Sequence, residues 1–339
     1  MSAYAALAGL YPPKNSQIWN QNLLWQPIPV HTRASEEDEV LTMRKYCNKY
    51  EKLYQNTLDS KYFKKIRATY EDFFEYVSKH SGWNLTDFNE IRTLQTVLDI
   101  YNSSNASFIP PWTKTLNNNI LIYLAGLAHQ RYTFTTELKR LLTGPFWANL
   151  VTYFDHVVDN STNTPRFLML SAHDTTIVSL LNCMGVYDLL PPDFADTLIW
   201  ELRKSTSGKY YINLFYKKTN LKPKILTIKN CETDCEFDHF KRILDPITVD
   251  SVTWEEECAS AGKTFASLKE LEDFIEIVEN ELFISLFKRD SKSLEYMKKY
   301  GPKKKFEMPI KIWYFIESYI LVIEAANNLR LEENENLGE

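Results

Sequence analysis

Residues 167–185 read FLMLSAHDTTIVSLLNCMG. An apolar run ends at His173-Asp174, and a second apolar run follows at once. A short, continuous apolar stretch is the pattern of a strand buried on both faces, as in parallel sheets. The second run, from 175 to 184, has the length and composition of a helix. A strand therefore runs straight into a helix, with an imidazole and a carboxylate at the join. The first amides of a helix have no intrahelical partner, so the join is an anion site by geometry. It also lies at the carboxyl end of a strand, where open α/β sheets place ligands. The pair has a plainer reading too. Asp174 can cap the helix by accepting the N–H of Thr176 or Ile177, and His173 can be a satisfied, half-buried imidazole. On the functional reading a phosphate sits at the join, His173 donates to it, and Asp174 gives a proton to the departing oxygen.

Downstream, DTLIWELRK (196–204) and YYINLFYKK (210–218) alternate apolar and polar residues around STSG, which predicts a hairpin. Upstream, WQPIPVHT (25–32) reads as a brief strand between prolines. The rest is helical in pattern: 2–11, 35–58 with Ser35 as cap, 60–80, 86–100, 116–129, and 135–159 interrupted at Gly144-Pro145. The chain thus reads as an α/β sheet carrying a helical insertion over about 35–160. Residues 259–339 read as a charged helical tail with no clear strand. Within it, IKIWYFIESYILVIEAA (310–326) is too short and polar for a membrane span.

Composition narrows the function. With 339 residues and 44% apolar side chains, the chain can bury one large core. It has only 9 glycines and neither GxGxxG nor GxxxxGK[ST], so no nucleotide-cradling loop and no cofactor are expected. A net charge of -5 with dispersed basic residues gives no nucleic-acid footprint. Cys231 and Cys235 lack the second pair that a zinc site needs, so no metal is expected. A disulfide is the open alternative, and it requires an oxidising compartment. Sequons at Asn84, Asn102, Asn105 and Asn160 point the same way. The first residues, MSAYAALAGLYPP, lack the basic and apolar regions of a signal peptide.

The stretches LSAHDTTI and YDLLPP, together with MSAYAALAGLYPP, WQPIPVHT, CETDCEFDHF and WEEEC, occur in the order found in the histidine acid phosphatases. This chain resembles the prostatic and lysosomal branch of that family over residues 1–258. The resemblance implies a three-layer α/β/α sandwich of the phosphoglycerate mutase-like type with a helical insertion domain. It implies hydrolysis of phosphate monoesters through a phosphohistidine, in an extracellular or lysosomal setting, with no cofactor. Phosphate monoesters or inorganic phosphate are the implied ligands; homodimer assembly is left open. Asp174 matches the family's proton donor, and His173 matches its phosphate-contacting partner. The family's disulfides imply Cys47 with Cys258 and Cys231 with Cys235, leaving Cys183 as a free thiol.

The family's nucleophile stands in an Arg-His-Gly motif, and this sequence contains none. None of its six histidines, His31, His80, His129, His156, His173 and His239, replaces it by motif. His31 is a candidate for lining the site, with a structural histidine as the other reading. The missing motif leads to the expectation of an N-terminally truncated domain, whether a fragment, an isoform, an incomplete gene model or a pseudoenzyme. The ordered motifs argue against the remaining alternative, a helical partner-binding protein. In the tail, SLEYMKKYGPKK (293–304) is weakly similar to FFEYVSKHSGWN (73–84), which suggests a partial second copy of the helical region.

Overall fold

The computed structural model describes residues 1–104, 109–161, 164–259 and, in its backbone, 319–326. The chain starts with helix α1 (Ser2–Leu10), and a long irregular segment leads to six further helices before any strand. These are α2 (Asn48–Leu58), α3 (Lys61–Thr69), α4 (Glu71–Ser81), α5 (Phe88–Ser103), α6 (Asn118–Gln130) and α7 (Thr136–Val158). Strand β1 (Phe167–Ala172) runs into α8 (Asp174–Cys183). Then come β2 (Thr197–Lys204), β3 (Tyr210–Lys217), β4 (Lys224–Leu226), β5 (Cys235–Glu236), α9 (Phe237–Leu244) and α10 (Ser251–Ala259), with β6 at Tyr319–Ala326. The architecture is the expected mixed α/β one.

Local chemistry sets the helix starts. Ser60, Asn117 and Thr135 each accept a backbone N–H of the first turn that follows. Asp87 and Glu90 form a reciprocal box at the start of α5. Three expectations fail in this region. The segment 25–32 forms no strand, and 35–58 is helical only at Ser35–Glu37 and from Asn48. There Asp38 accepts three backbone N–H groups, from Val40, Leu41 and Thr42, and folds the chain into a turn. Conversely, α7 runs unbroken through Gly144-Pro145. Pro145 cannot donate to the carbonyl of Leu141, and the indole N–H of Trp254 occupies that carbonyl instead, at 2.6 Å. Gly144 lets the segment 247–249 close on the helix, since a Cβ there would lie 2.5 Å from Val249 Cγ1.

The sheet order is β1-β6-β2-β3-β4, with β5 paired to β3. The hairpin at 197–217 forms as expected, antiparallel, with Trp200 opposite Leu214. The tail supplies the correction. Residues 319–326 are a strand rather than helix, antiparallel to β1 and parallel to β2. Leu321 pairs with both Leu170 and Leu198. The parallel neighbour expected for β1 is therefore absent among the described residues. The proposed repeat at 293–304 and the rest of the tail lie outside them.

Among the described residues three cores form. One face of β2 and β3, with Leu198, Trp200, Ile212 and Leu214 fully buried, packs on Phe146, Trp147 and Phe154 of α7, on α8 and on Phe240 of α9. A second core, with Phe63, Phe74, Ile91, Leu94 and Leu124, joins α3 to α6. The third gathers Tyr50, Leu138 and Trp254 around the Cys47–Cys258 disulfide. Among the described residues no helix is long and apolar enough to cross a membrane.

Candidate active site

β1 becomes buried towards its end, at Ala172, and the chain turns into α8 at His173, whose extended backbone makes it the helix cap. The N–H of His173 donates to Thr176 Oγ1 at 3.3 Å, and that hydroxyl donates to the carbonyl of Leu41 at 2.7 Å. The start of α8 is thereby tied to the turn that Asp38 builds. Asp174 is the first residue of the helix, not its cap, which corrects the plainer capping reading. Its Oδ1 accepts the N–H of Thr175 at 2.6 Å. Neither Thr176 nor Ile177 is its partner, because the N–H of Ile177 goes to the carbonyl of His173.

The other carboxylate oxygen faces the helical region. Asp174 Oδ2 lies 3.7 Å from Arg92 Nη1 of α5 and 3.8 Å from His129 Nε2 of α6. The side chains of Asp174 and Arg92 keep 26% and 25% of their surface, so the site opens to solvent between them, whereas His129 keeps 2%. α6 reaches this position through Gly126. A Cβ there would sit 2.0 Å from the carbonyl oxygen of Leu189, and Tyr187 donates its hydroxyl to the Gly126 carbonyl at 3.3 Å. His129 follows one helical turn later.

The electrostatics follow from burial and these neighbours. Burial pushes His129 down to about 4, against the smaller upward pull of Asp174, and Arg92 adds to the lowering. Its Nδ1 has no hydrogen-bond partner among the described residues. A second proton would create a buried, unpaired N–H, which favours the neutral imidazole with its proton on Nε2, the nitrogen nearer Asp174. For Asp174, burial raises the carboxyl, but His129, Arg92, the Thr175 amide and His173 outweigh it and hold it below the usual carboxylate range.

The structure thus keeps His173 and Asp174 together and adds two residues that the sequence reading did not select. Arg92 sits on the helix expected over 86–100, and no motif surrounds His129. A histidine inside the apolar run LIYLAGLAHQ was the available signal, but its meeting with Arg92 depends on how α5 and α6 pack. His31 is exposed and makes no ion pair with Asp174. Both expected disulfides form, Cys47–Cys258 and Cys231–Cys235. Cys183 is free and partly buried, 3.3 Å from Thr143 Oγ1. The sequon residues Asn84, Asn102 and Asn160 are exposed; Asn105 lies outside the described residues. A cavity of about 400 Å³ lies elsewhere, between Phe63, Arg67, Asp87 and Arg131. There Arg131 is committed to Asp87 through two hydrogen bonds of 2.8 and 3.1 Å. Among the described residues no group of three or more His, Cys, Asp or Glu could hold a metal ion.

A model of the histidine phosphatase superfamily (branch 2) matches residues 1–214. Over 279 residues the chain is 31% identical to prostatic acid phosphatase of Rattus norvegicus, covering 79% of this chain and 71% of that relative. It is 30% identical to lysosomal acid phosphatase of Xenopus laevis, covering 77% and 61%. It is 32% identical to prostatic acid phosphatase of Mus musculus, covering 77% and 69%. The chain therefore spans about two thirds of the length of these relatives.

Proposed function

The chain belongs to the histidine phosphatase superfamily, branch 2, and from that membership we propose that it acts on phosphate monoesters in the manner of an acid phosphatase. The observation that carries this is the place of Asp174, at the carboxyl end of β1 on the first turn of α8, beside His173 and 3.7 Å from Arg92. The helix amides, His173 and Arg92 would bind the phosphate. Asp174, protonated, would pass its proton to the bridging oxygen as the phosphorus–oxygen bond breaks and would be left as a carboxylate. No described histidine is assigned as nucleophile. Two disulfides, exposed sequons and the names of the relatives support an extracellular or lysosomal setting.

A second reading, a phosphate-binding chain without turnover, is favoured by the lack of Arg-His-Gly within residues 1–339. A proton donor alone forms no covalent intermediate. Hydrolysis of p-nitrophenyl phosphate and of an alkyl phosphate at acidic pH separates the two, with binding followed by amide NMR over residues 172–177. On the first reading, turnover is measurable and Asp174→Asn slows the alkyl ester more, because an alkoxide needs the proton and p-nitrophenolate does not. Binding without turnover selects the second reading. Neither binding nor turnover removes both.

A further inference from the structure

Asp174 stands between two neighbourhoods. Its Oδ1 belongs to α8, through the Thr175 N–H. Its Oδ2 belongs to the helical region, where Arg92 and His129 come from two different helices to the same oxygen. Neither contact is a hydrogen bond, since both exceed the usual donor–acceptor distance. Both place positive potential on a carboxylate, the first as a full charge and the second as a neutral imidazole N–H. Such an arrangement suits the ionised form, whereas a general acid has to carry a proton before it can give one away.

We propose that Arg92 and His129 are positioning residues that keep Asp174 ionised while the site is empty, and that an entering phosphate releases this hold so that Asp174 takes up a proton from solvent. This rests on the reading of the join as a phosphate site. The phosphate group at the start of α8 would lie against the exposed side of Arg92, so that the guanidinium serves two anions. The phosphate's negative charge then offsets the positive potential that Arg92 places on Asp174, and this like-charge repulsion favours the neutral carboxylic acid. The proton taken from solvent is the one later delivered to the leaving oxygen, so the acid forms only when there is a substrate to protonate. Among the described residues the other titratable groups facing Asp174 are His173 on its own element and Tyr187 after α8, whose hydroxyl Asp174 helps to keep protonated. Both are present in the empty and the occupied site.

The test is a pH titration of the Asp174 carboxyl carbon by NMR in the full chain, with and without inorganic phosphate. It compares wild type with Arg92→Gln, Arg92→Lys, His129→Gln and His129→Leu. Arg92→Gln removes the charge and should raise the Asp174 midpoint by about 1 pH unit or more, while Arg92→Lys should restore most of the depression. His129→Gln keeps an N–H donor near Oδ2 and should leave the midpoint near the wild-type value, whereas His129→Leu removes that donor and should raise it; a midpoint unmoved in folded His129→Leu overturns the part assigned to His129. In wild type, saturating phosphate should raise the midpoint and take up a fraction of a proton per site, read in unbuffered solution. An Asp174 midpoint unmoved in folded Arg92→Gln overturns the hold. Phosphate that shifts the 172–177 amides without moving the midpoint overturns the release. If phosphate shifts no amides, the phosphate site itself fails and the release with it, while the Arg92 variants still decide whether Asp174 is held.

Discussion

Acid should weaken this fold through His129, and the size of the effect can be worked out. The His129 side chain keeps 2% of its surface, and burial pushes it down from 6.5 to about 4. In the unfolded chain it titrates near 6.5. Between those two values the unfolded state carries the proton and the folded state does not, so stability rises with pH across the window. The contribution is complete above 6.5, is lost as pH falls, and levels off near 4. A gap of about 2.5 pH units, at about 1.4 kcal/mol each, corresponds to about 3 kcal/mol. Two shifted carboxylates enter the same pH range. Asp174, held low, contributes stability above the ordinary carboxylate value and loses it only below that, under the His129 window. Asp99 is raised to about 6 by burial and by Asp193. Its sign is opposite: it favours the folded state in acid and loses that contribution as pH rises through 6. Asp99 keeps an exposed surface on α5 despite that partial burial, so solvent screens it and its contribution is the smaller one. A difference measurement removes Asp99 and the other shared titrations. Urea unfolding of wild type and His129→Gln at pH 7, 6, 5 and 4 should show wild type losing about 3 kcal/mol more than the variant over that range. Parallel stability curves for the two proteins would refute the buried neutral imidazole.

Replacing Cys47 and Cys258 together by serine opens a loop spanning 211 residues, for which the chain-entropy relation gives about 5 kcal/mol. Denaturant midpoints check this, and a loss below 1 kcal/mol would show that the third core holds without the bond. Gly126→Ala places a methyl 2.0 Å from the Leu189 carbonyl. It should cost about 1–3 kcal/mol and shift the His129 ring resonances, and an unchanged melting temperature would contradict that close approach. Ending the chain after Ala259 removes β6, the strand joining β1 to β2. Amide exchange at 167–172 and 197–203 should then accelerate far more than at 210–217, and equal protection in both chains would speak against the strand.

The legible parts of the sequence were those whose signal is local. The strand–helix join at 167–183 and the hairpin at 197–217 rest on signals only a few positions apart, and both elements form, although β1 is half-buried and antiparallel to β6 rather than a parallel strand buried on both faces. The errors came where a distant partner overrides a local rule. Pro145 reads as a helix break, but Trp254, more than a hundred residues on, takes the carbonyl that the proline leaves free. Asp38 lies in an acidic stretch that resembles the first turn of a helix, and its carboxylate spends its acceptors on a tight turn instead. Residues 319–326 carry two features of a strand, β-branched residues and low charge, inside a region of helical pattern. Their slot between β1 and β2 exists only in the folded chain.

The same distinction explains why half of the candidate site was visible. His173 and Asp174 are adjacent in sequence, so any reading of the strand end finds them. Arg92 and His129 reach Asp174 because α5 and α6 pack on each other through the second core and Gly126 lets α6 approach the segment after α8. A helix face that buries Ile91 and Leu94 leaves Arg92 at its flank, pointing to the seam between the helical region and the sheet. The seam is where the proton chemistry of Asp174 is set. One carboxylate oxygen answers to the helix that carries it and the other to two helices from elsewhere in the chain. A change in how the helical region seats on the sheet would therefore change when Asp174 can hold a proton, with no change in His173 or in the amides of α8.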